Sequence, residues 1–175
     1  MSRFSFQFLS PIFLFLLMLI DGQMSRLLLS ASGGQFIIVA HLMLIFLVYT
    51  VSQHRFSYLV VLGLGLGIIY DAYYLQIYGI ASLLLPLIAI FVHNIKSIVF
   101  ANRVALFSTI IIVITIFDVC STLIMLLFGI SKVNILDFVV YQLAPTLLVN
   151  VLVTLALLIP LEKLYKTKNY NSNNF

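Results

Sequence analysis

The chain has 175 residues, a formal net charge of +4 and a single cysteine, Cys120. Its residues are 63% hydrophobic and 8% charged, whereas soluble proteins are roughly 45–50% apolar and about 25% charged. So few charges cannot cover a soluble surface, and the composition therefore excludes a cytosolic enzyme, a nucleic-acid-binding domain and a self-contained ATPase. The lone cysteine excludes an internal disulfide and a multi-cysteine metal site.

The chain divides, in order, into six apolar segments, each of which predicts a membrane-spanning helix. A span needs about 20 apolar residues, so six spans use roughly 120 residues and leave no room for a soluble domain. The stretch from Phe56 to Ile95 is too long for one span and predicts a hairpin that turns near Tyr78 and Gly79. The predicted spans are 5–27, 35–51, 56–77, 80–95, 104–129 and 138–160.

The positions of the cations predict the orientation in the membrane. With the N-terminus in the cytoplasm, Arg26 and Lys132 lie outside and the other cations lie inside. The cations inside are Arg3, Arg55, Lys96, Arg103, Lys163, Lys166 and Lys168. Because cations concentrate on the cytoplasmic side, we expect six spans with both termini cytoplasmic. Residues 1–163 then form one six-helix transmembrane domain, and residues 164–175 form a polar cytoplasmic tail that we expect to be disordered.

The third segment carries a stripe of two glycines and an acid. Gly63, Gly67 and Asp71 are spaced by four and therefore share one helix face. Glycines at this spacing let a neighbouring helix approach closely, and an acid in a span costs about 2.5–3.5 kcal/mol. Tyr74 belongs to an adjacent stripe of tyrosines whose hydroxyls could donate to the carboxylate. These four residues predict a packing seam, which either receives a partner helix or ligand or fixes the hairpin within the chain.

Three further polar residues in the first and last spans are candidates for burial. Asp21 and Gln23 close the first span, where Arg26 is near enough in sequence to neutralise the acid. The alternatives for Asp21 are a functional site or a polar cap at the helix end. Asn150 in the last span predicts a hydrogen bond across helices, a contribution of about 0.6–2 kcal/mol.

Asp118 is the acid nearest the middle of a span. Thr115 and Thr122 share its helix face, so their hydroxyls could satisfy the carboxylate, and a proton or ion site is the alternative. The three histidines are scattered over different segments, so we expect no metal and no cofactor. We also expect no catalysis, because no serine, histidine and acid combination suggests an intramembrane protease.

Several of these residues fall in stretches with a recognisable pattern. The stretches are LIDGQMS at 19–25, GLGLGIIYDAYYLQIYG at 63–79, Pro86, and Pro145 with Asn150 leading to LIPL at 158–161. Over essentially the whole chain, this pattern resembles the MreD family, the small membrane subunit of the bacterial rod-shape machinery. Asp118 is not a feature of the family pattern that we can assign.

The resemblance implies a non-enzymatic function in the bacterial cytoplasmic membrane, without nucleic acid. MreD-like proteins work with MreC, and together they connect cytoplasmic MreB filaments to peptidoglycan synthesis by RodA and its partner transpeptidase. Helix packing in the lipid would be the mechanism, with the glycines and buried polar groups offering a surface to partner spans.

The resemblance also leaves a second class of function open. The MreD fold is similar to that of the substrate-binding subunits of energy-coupling-factor transporters, which bind small vitamin-like molecules. Those subunits carry an Ala-x-x-x-Ala surface on the first helix, whereas residues 5–27 contain no alanine. The absence of tryptophan also weakens the case for an aromatic ligand pocket.

Overall fold

The structure, a computed structural model, describes the backbone of residues 3–165 and the side chains of residues 10–161. All the regular structure in this range is helical, so the prediction of an all-α protein is confirmed there. The helices are α1 (Arg3–Ala31), α2 (Leu42–Val51), α3 (Phe56–Tyr70), α4 (Ile80–Asn94), α5 (Lys96–Val99), α6 (Arg103–Leu127), α7 (Ile135–Asp137) and α8 (Ala144–Tyr165). A π-helical turn at Asp71–Leu75 extends α3, and another at Phe138–Leu143 joins α7 to α8.

Four stretches of this part of the chain are long and apolar enough to cross a membrane. They are Ser10–Ala31, Phe56–Leu75, Arg103–Leu127 and Ile135–Leu161. The other two predicted spans contain the shorter apolar helices α2 and α4, of 10 and 15 residues. Helix length and composition therefore support a multi-helix membrane protein.

The second predicted span differs most from expectation. The sequence predicts a helix from residue 35, but residues 36–40 form no helical turn and α2 begins only at Leu42. The reason is that side chains from α1 and α8 bind main-chain N–H groups of this stretch. The non-helical segment 36–40 and α2 together form an interrupted helix, which is tolerated in a membrane protein when neighbouring side chains bind the freed main-chain groups.

Helix α2 is the central element of the bundle. Nine of its ten residues are buried, and it packs against α1, α4, α6 and α8. An apolar pattern without a polar face is typical of such an enclosed helix. The core that surrounds it includes Leu14 on α1, Leu85 on α4 and Ile114 on α6.

Helices α3 and α4 form the predicted hairpin. The turn between them ends at Gly79, whose φ of +119° is a backbone conformation that side chains rarely adopt. At the other end of the chain, α8 continues to Tyr165, two residues past the predicted end of the transmembrane domain. The remainder of the predicted tail, residues 166–175, lies outside the described residues.

Candidate functional site

Asp71 holds the turn of the α3–α4 hairpin. Its carboxylate accepts hydrogen bonds from the main-chain N–H groups of Gly79 (2.9 Å), Ala81 (2.7 Å) and Ser82 (3.0 Å). The first N–H groups of a helix have no partner within that helix, so one fully buried side chain satisfies the start of α4. The sequence leaves two roles open for Asp71: it receives a partner helix or ligand, or it fixes the hairpin within the chain. These contacts show the second role.

The glycine face of α3 is covered by α4 of the same chain. A Cβ atom added at Gly63 would lie 2.8 Å from the Cα atom of Pro86, and one at Gly67 would lie 2.6 Å from the carbonyl oxygen of Ala81. Both glycines are buried. The alternative in which a partner helix packs against Gly63 and Gly67 is therefore wrong. Helix α4 of the same chain occupies this face and makes the close approach that glycine permits.

Tyr74 connects the hairpin to α1 rather than to Asp71. Its hydroxyl donates a hydrogen bond to the main-chain carbonyl of Met18. The tyrosine ring lies directly over Gly22, where a Cβ atom would overlap it. Tyr74 therefore does not donate to the Asp71 carboxylate as the tyrosine stripe suggests, and the glycine beside Asp21 is required by the ring of Tyr74.

Asp21 caps the central helix. One carboxylate oxygen accepts the N–H of Leu42 at 2.7 Å and the other accepts the N–H of Met43 at 2.8 Å. These groups are the first two donors of α2, and a negative charge is favoured at a helix N-terminus. Asp21 thus caps the start of another helix, whereas the sequence indicates a cap at the end of its own helix, α1. Arg26 forms no ion pair with Asp21 in the described part of the chain.

Gln23 is exposed, so its predicted burial is wrong. It follows Asp21 by two positions on α1, and two residues turn a helix by about 200°. The side chain of Gln23 therefore points away from the face on which Asp21 is buried. Helical geometry, rather than any special feature of the sequence, accounts for the difference between these neighbours.

Asn150 makes the predicted hydrogen bonds to another part of the bundle. Its partners lie in the non-helical segment and at His41, the residue that follows this segment. Its side-chain oxygen accepts the N–H of His41 at 2.9 Å, and its amide donates to the carbonyl of Val39 at 2.8 Å. One turn earlier on α8, the hydroxyl of Thr146 accepts the N–H of Val39 at 3.1 Å. From the other side, Ser25 on α1 accepts the N–H of Ala40 at 2.9 Å. Side chains thus replace the helical hydrogen bonds of this stretch.

Asp118 pairs with a histidine for which the sequence predicts no role. One carboxylate oxygen lies 2.9 Å from Nε2 of His41, and both residues are buried. Thr115 does not satisfy the carboxylate, because its hydroxyl donates to the carbonyl of Ile111 on its own helix. The other oxygen of Asp118 is buried without a hydrogen-bond partner among the described residues. The sequence does contain one feature that could have indicated a role for His41: it is the only histidine, acidic or basic residue in the apolar run 36–51.

The polar residues therefore form one network around the start of α2. Asp21 and Ser25 approach it from α1, Asp118 from α6 and Asn150 from α8. Within residues 10–161, no group of three or more His, Cys, Asp or Glu side chains is arranged to hold a metal ion. Chemically, the network stabilises interrupted backbone inside an apolar bundle and so fixes the relative positions of α1, α2, α6 and α8.

Comparison with known proteins identifies a family whose model matches this chain. The model of the family described as rod shape-determining protein MreD matches residues 2–168. The cell shape-determining protein MreD of Streptococcus pneumoniae is 30% identical over 139 residues, which cover 77% of this chain and 81% of that protein. No solved structure gives a significant match.

Proposed function

Since this chain belongs to the MreD family of rod shape-determining proteins, we propose that it is a non-enzymatic scaffold subunit of the bacterial elongation machinery. It acts in the cytoplasmic membrane, where it pairs with MreC. The pair connects MreB filaments to peptidoglycan synthesis by RodA and its partner transpeptidase. These partners follow from the family resemblance, and the internal geometry of the chain is consistent with a scaffold.

The observation that carries the proposal is the network around the start of α2. Asp21 and Asn150 make their contacts with main-chain groups of their own chain, and so does Asp71. A bundle held in this way presents a fixed outer surface, and that surface is apolar along the long helices, for example at Ile12 and Leu152. We infer that partner spans and lipid contact this outer surface, since α4 already covers the glycine face of α3.

We further propose six crossings with both termini in the cytoplasm. The ten helical residues of α2 rise about 15 Å, and the stretch from Phe36 to His41 adds about 20 Å if extended. Together they can cross a hydrocarbon core of about 30 Å. Helix α4, of 15 residues, rises about 22 Å, and a bilayer accommodates a short span by thinning locally. The positions of the cations support the same arrangement.

The test is to identify what the chain binds in the cell. Membranes are crosslinked in vivo and solubilised in mild detergent, the tagged chain is captured, and the co-purifying proteins are identified by mass spectrometry. The matched control is an unrelated six-span protein with the same tag and expression level. We expect MreC and the elongation synthases to be enriched with this chain and not with the control.

A different set of partners would contradict the proposal. Enrichment of a pair of ATPases with a transmembrane coupling protein would instead indicate the subunit of a vitamin transporter, to whose fold the sequence suggests similarity. Membership of the MreD family favours the cell-shape function. Buried seam residues such as Gly67 are unsuitable for testing MreC contact, because changing them would disturb the hairpin itself.

A further inference from the structure

A cavity of about 440 Å³ lies beside the non-helical segment 36–40. Its walls come from α1, from the non-helical segment and from the end of α3 with its π-helical turn. Residues on its walls include Ser25, Arg26, Ile38, Tyr70, Tyr73 and Gln76. In the proposed orientation it opens toward the outside of the cell. At about 30 Å³ for a water-sized group, it has room for roughly 15 non-hydrogen atoms.

Ile38 is the residue of the non-helical segment for which neither main-chain group has a partner among the described residues. The N–H groups of Ile37, Val39 and His41 bind acceptors on the α8 side, at Tyr141, Thr146 and Asn150 respectively. The N–H of Ala40 points the other way, to Ser25 on α1. Main-chain groups alternate in direction along an extended chain, so those of Ile38 point toward α1, on the side where the cavity lies.

The N–H and C=O groups of Ile38 have no hydrogen-bond partner within the described part of the chain. Leaving a main-chain group unpaired in an apolar setting costs about 1–3 kcal/mol. Non-helical backbone at membrane depth is tolerated where it is buried in protein or lines a water-filled cavity. The main chain of Ile38 is therefore available to water or to a polar group of a ligand in this cavity.

The charges around the cavity indicate the kind of polar group. Arg26 lies on its wall and forms no ion pair with any described residue. The carboxylate of Asp21 also lies on the wall, but each of its oxygens already accepts an N–H group at the start of α2. Arg26 is therefore the charged group on the wall that no described residue pairs with or hydrogen-bonds, while Leu29 and Tyr70 contribute apolar surface.

We propose that this cavity binds one amphipathic anion, with a carboxylate or phosphate at Arg26 and an apolar body of about ten carbon atoms, which fits the volume available. The N–H of Ile38 provides a second donor for the polar end of the ligand. The apolar walls of the cavity, including Leu29 and the tyrosine rings, accommodate the chain. This proposal rests on the residues of the cavity alone, so it does not depend on the proposed cell-shape function.

The probe is decanoate, which has about 12 non-hydrogen atoms and so fits the estimated capacity of the cavity. The full chain is placed in phosphatidylcholine nanodiscs, and binding of radiolabelled decanoate is measured by equilibrium dialysis against empty nanodiscs. Decanol and decylamine are the uncharged and cationic comparisons. We expect one saturable decanoate site per chain, with at least ten-fold weaker binding of decanol and decylamine.

Two charge-removing variants locate the site. Arg26→Gln should weaken decanoate binding at least ten-fold, whereas Lys132→Gln, which removes an exposed cation distant in sequence from the cavity walls, should leave it unchanged. Hydrogen–deuterium exchange provides a second measurement, because bound decanoate should slow exchange of the Ile38 amide. Equal binding of decanoate and decanol, preferred binding of decylamine, or full binding by Arg26→Gln would overturn the proposal. So would an unchanged exchange rate at Ile38 under saturating decanoate.

A final comparison identifies the natural source of the anion. The measurements are repeated in nanodiscs that contain phosphatidylglycerol. If an anionic lipid is the ligand, phosphatidylglycerol should compete with decanoate and slow Ile38 exchange by itself. If decanoate binding is retained in these nanodiscs, the ligand is a soluble amphipathic anion. Both results agree with the proposed site, and they differ only in where its ligand comes from.

Discussion

Two acids in this protein use a carboxylate to begin a helix that is not their own. Asp21 accepts the first N–H groups of α2, and Asp71 accepts N–H groups at the start of α4. A carboxylate placed in hydrocarbon is costly, but each oxygen here accepts charge-assisted hydrogen bonds, which are stronger than neutral ones. The acids stabilise the bundle because each one supplies acceptors for main-chain N–H groups that have no acceptor within their own helix.

Replacing Asp21 by asparagine tests this role at the residue scale. Asparagine keeps one acceptor, but its amide nitrogen cannot accept the second N–H group of α2. We expect Asp21→Asn to lower the free energy of unfolding by about 1–3 kcal/mol, measured by titration with a denaturing detergent. Gln23→Asn is the matched control, because Gln23 is two residues away and exposed. Equal stability of the two variants would contradict the capping role.

The contact between His41 and Asp118 can be tested by a double-mutant cycle. Nε2 of His41 lies 2.9 Å from the carboxylate, and both groups are buried. Removing either partner leaves the other without its contact, so the second substitution should cost less than the first. We expect a coupling energy of about 1–3 kcal/mol between His41→Ala and Asp118→Ala. Additive effects in the same unfolding measurement would show that the two side chains do not interact in the membrane.

At the scale of elements, the α3–α4 hairpin is held by close packing of backbones. Gly63 and Gly67 lie against Pro86 and Ala81, and Asp71 binds the start of α4. The glycine between them, Gly65, faces outward and has no atom of another residue within 4 Å of an added Cβ. One stretch of sequence thus contains both glycines that packing requires and one that it does not.

These two kinds of glycine should respond oppositely to alanine. Gly65→Ala should stabilise the protein by about 0.5–1 kcal/mol, since glycine is unfavourable within a helix. Gly67→Ala should destabilise it by about 1–3 kcal/mol or more, because the added methyl group meets the backbone of α4. Thermal unfolding followed by size-exclusion chromatography would compare them. A similar effect of both substitutions would argue against the close approach at Gly67.

At the scale of the whole molecule, the interrupted second segment determines the topology. Helix α2 is short and buried, and it reaches the other face of a bilayer only together with the segment 36–40 that precedes it. If this combined segment crosses, the chain has six spans, and its two ends share one side. If it enters and returns, the loops on either side of it lie on the same face.

Cysteine labelling of intact cells would distinguish these topologies. In a chain carrying Cys120→Ser, an impermeant maleimide should label Ser32→Cys and Ser131→Cys from outside the cell. It should not label Gln53→Cys until the cells are opened, since this loop is expected in the cytoplasm. Labelling of Gln53→Cys from outside would show that the second segment does not cross.

The sequence by itself determined the solvent, the class of fold and the residues that demand an explanation. A chain that is 63% hydrophobic must place most of its surface in lipid, and backbone in lipid must satisfy its own hydrogen bonds, which favours helices. For the same reason, Asp21, Asp71, Asp118 and Asn150 stand out as polar residues in apolar segments, and all four are buried. The four-residue spacing likewise predicted the close-packed face of α3.

Only the tertiary structure decided which groups these residues contact. Asn150 is 109 residues from His41, and Asp118 is 77 residues from it, so no local pattern could pair them. The break before Leu42 is equally invisible, because a short apolar run can be helical or extended and periodicity alone does not separate the two. The partner of the glycine face was undecided for a similar reason: spacing indicates that a backbone comes close, but only the folded chain shows that it is the backbone of α4.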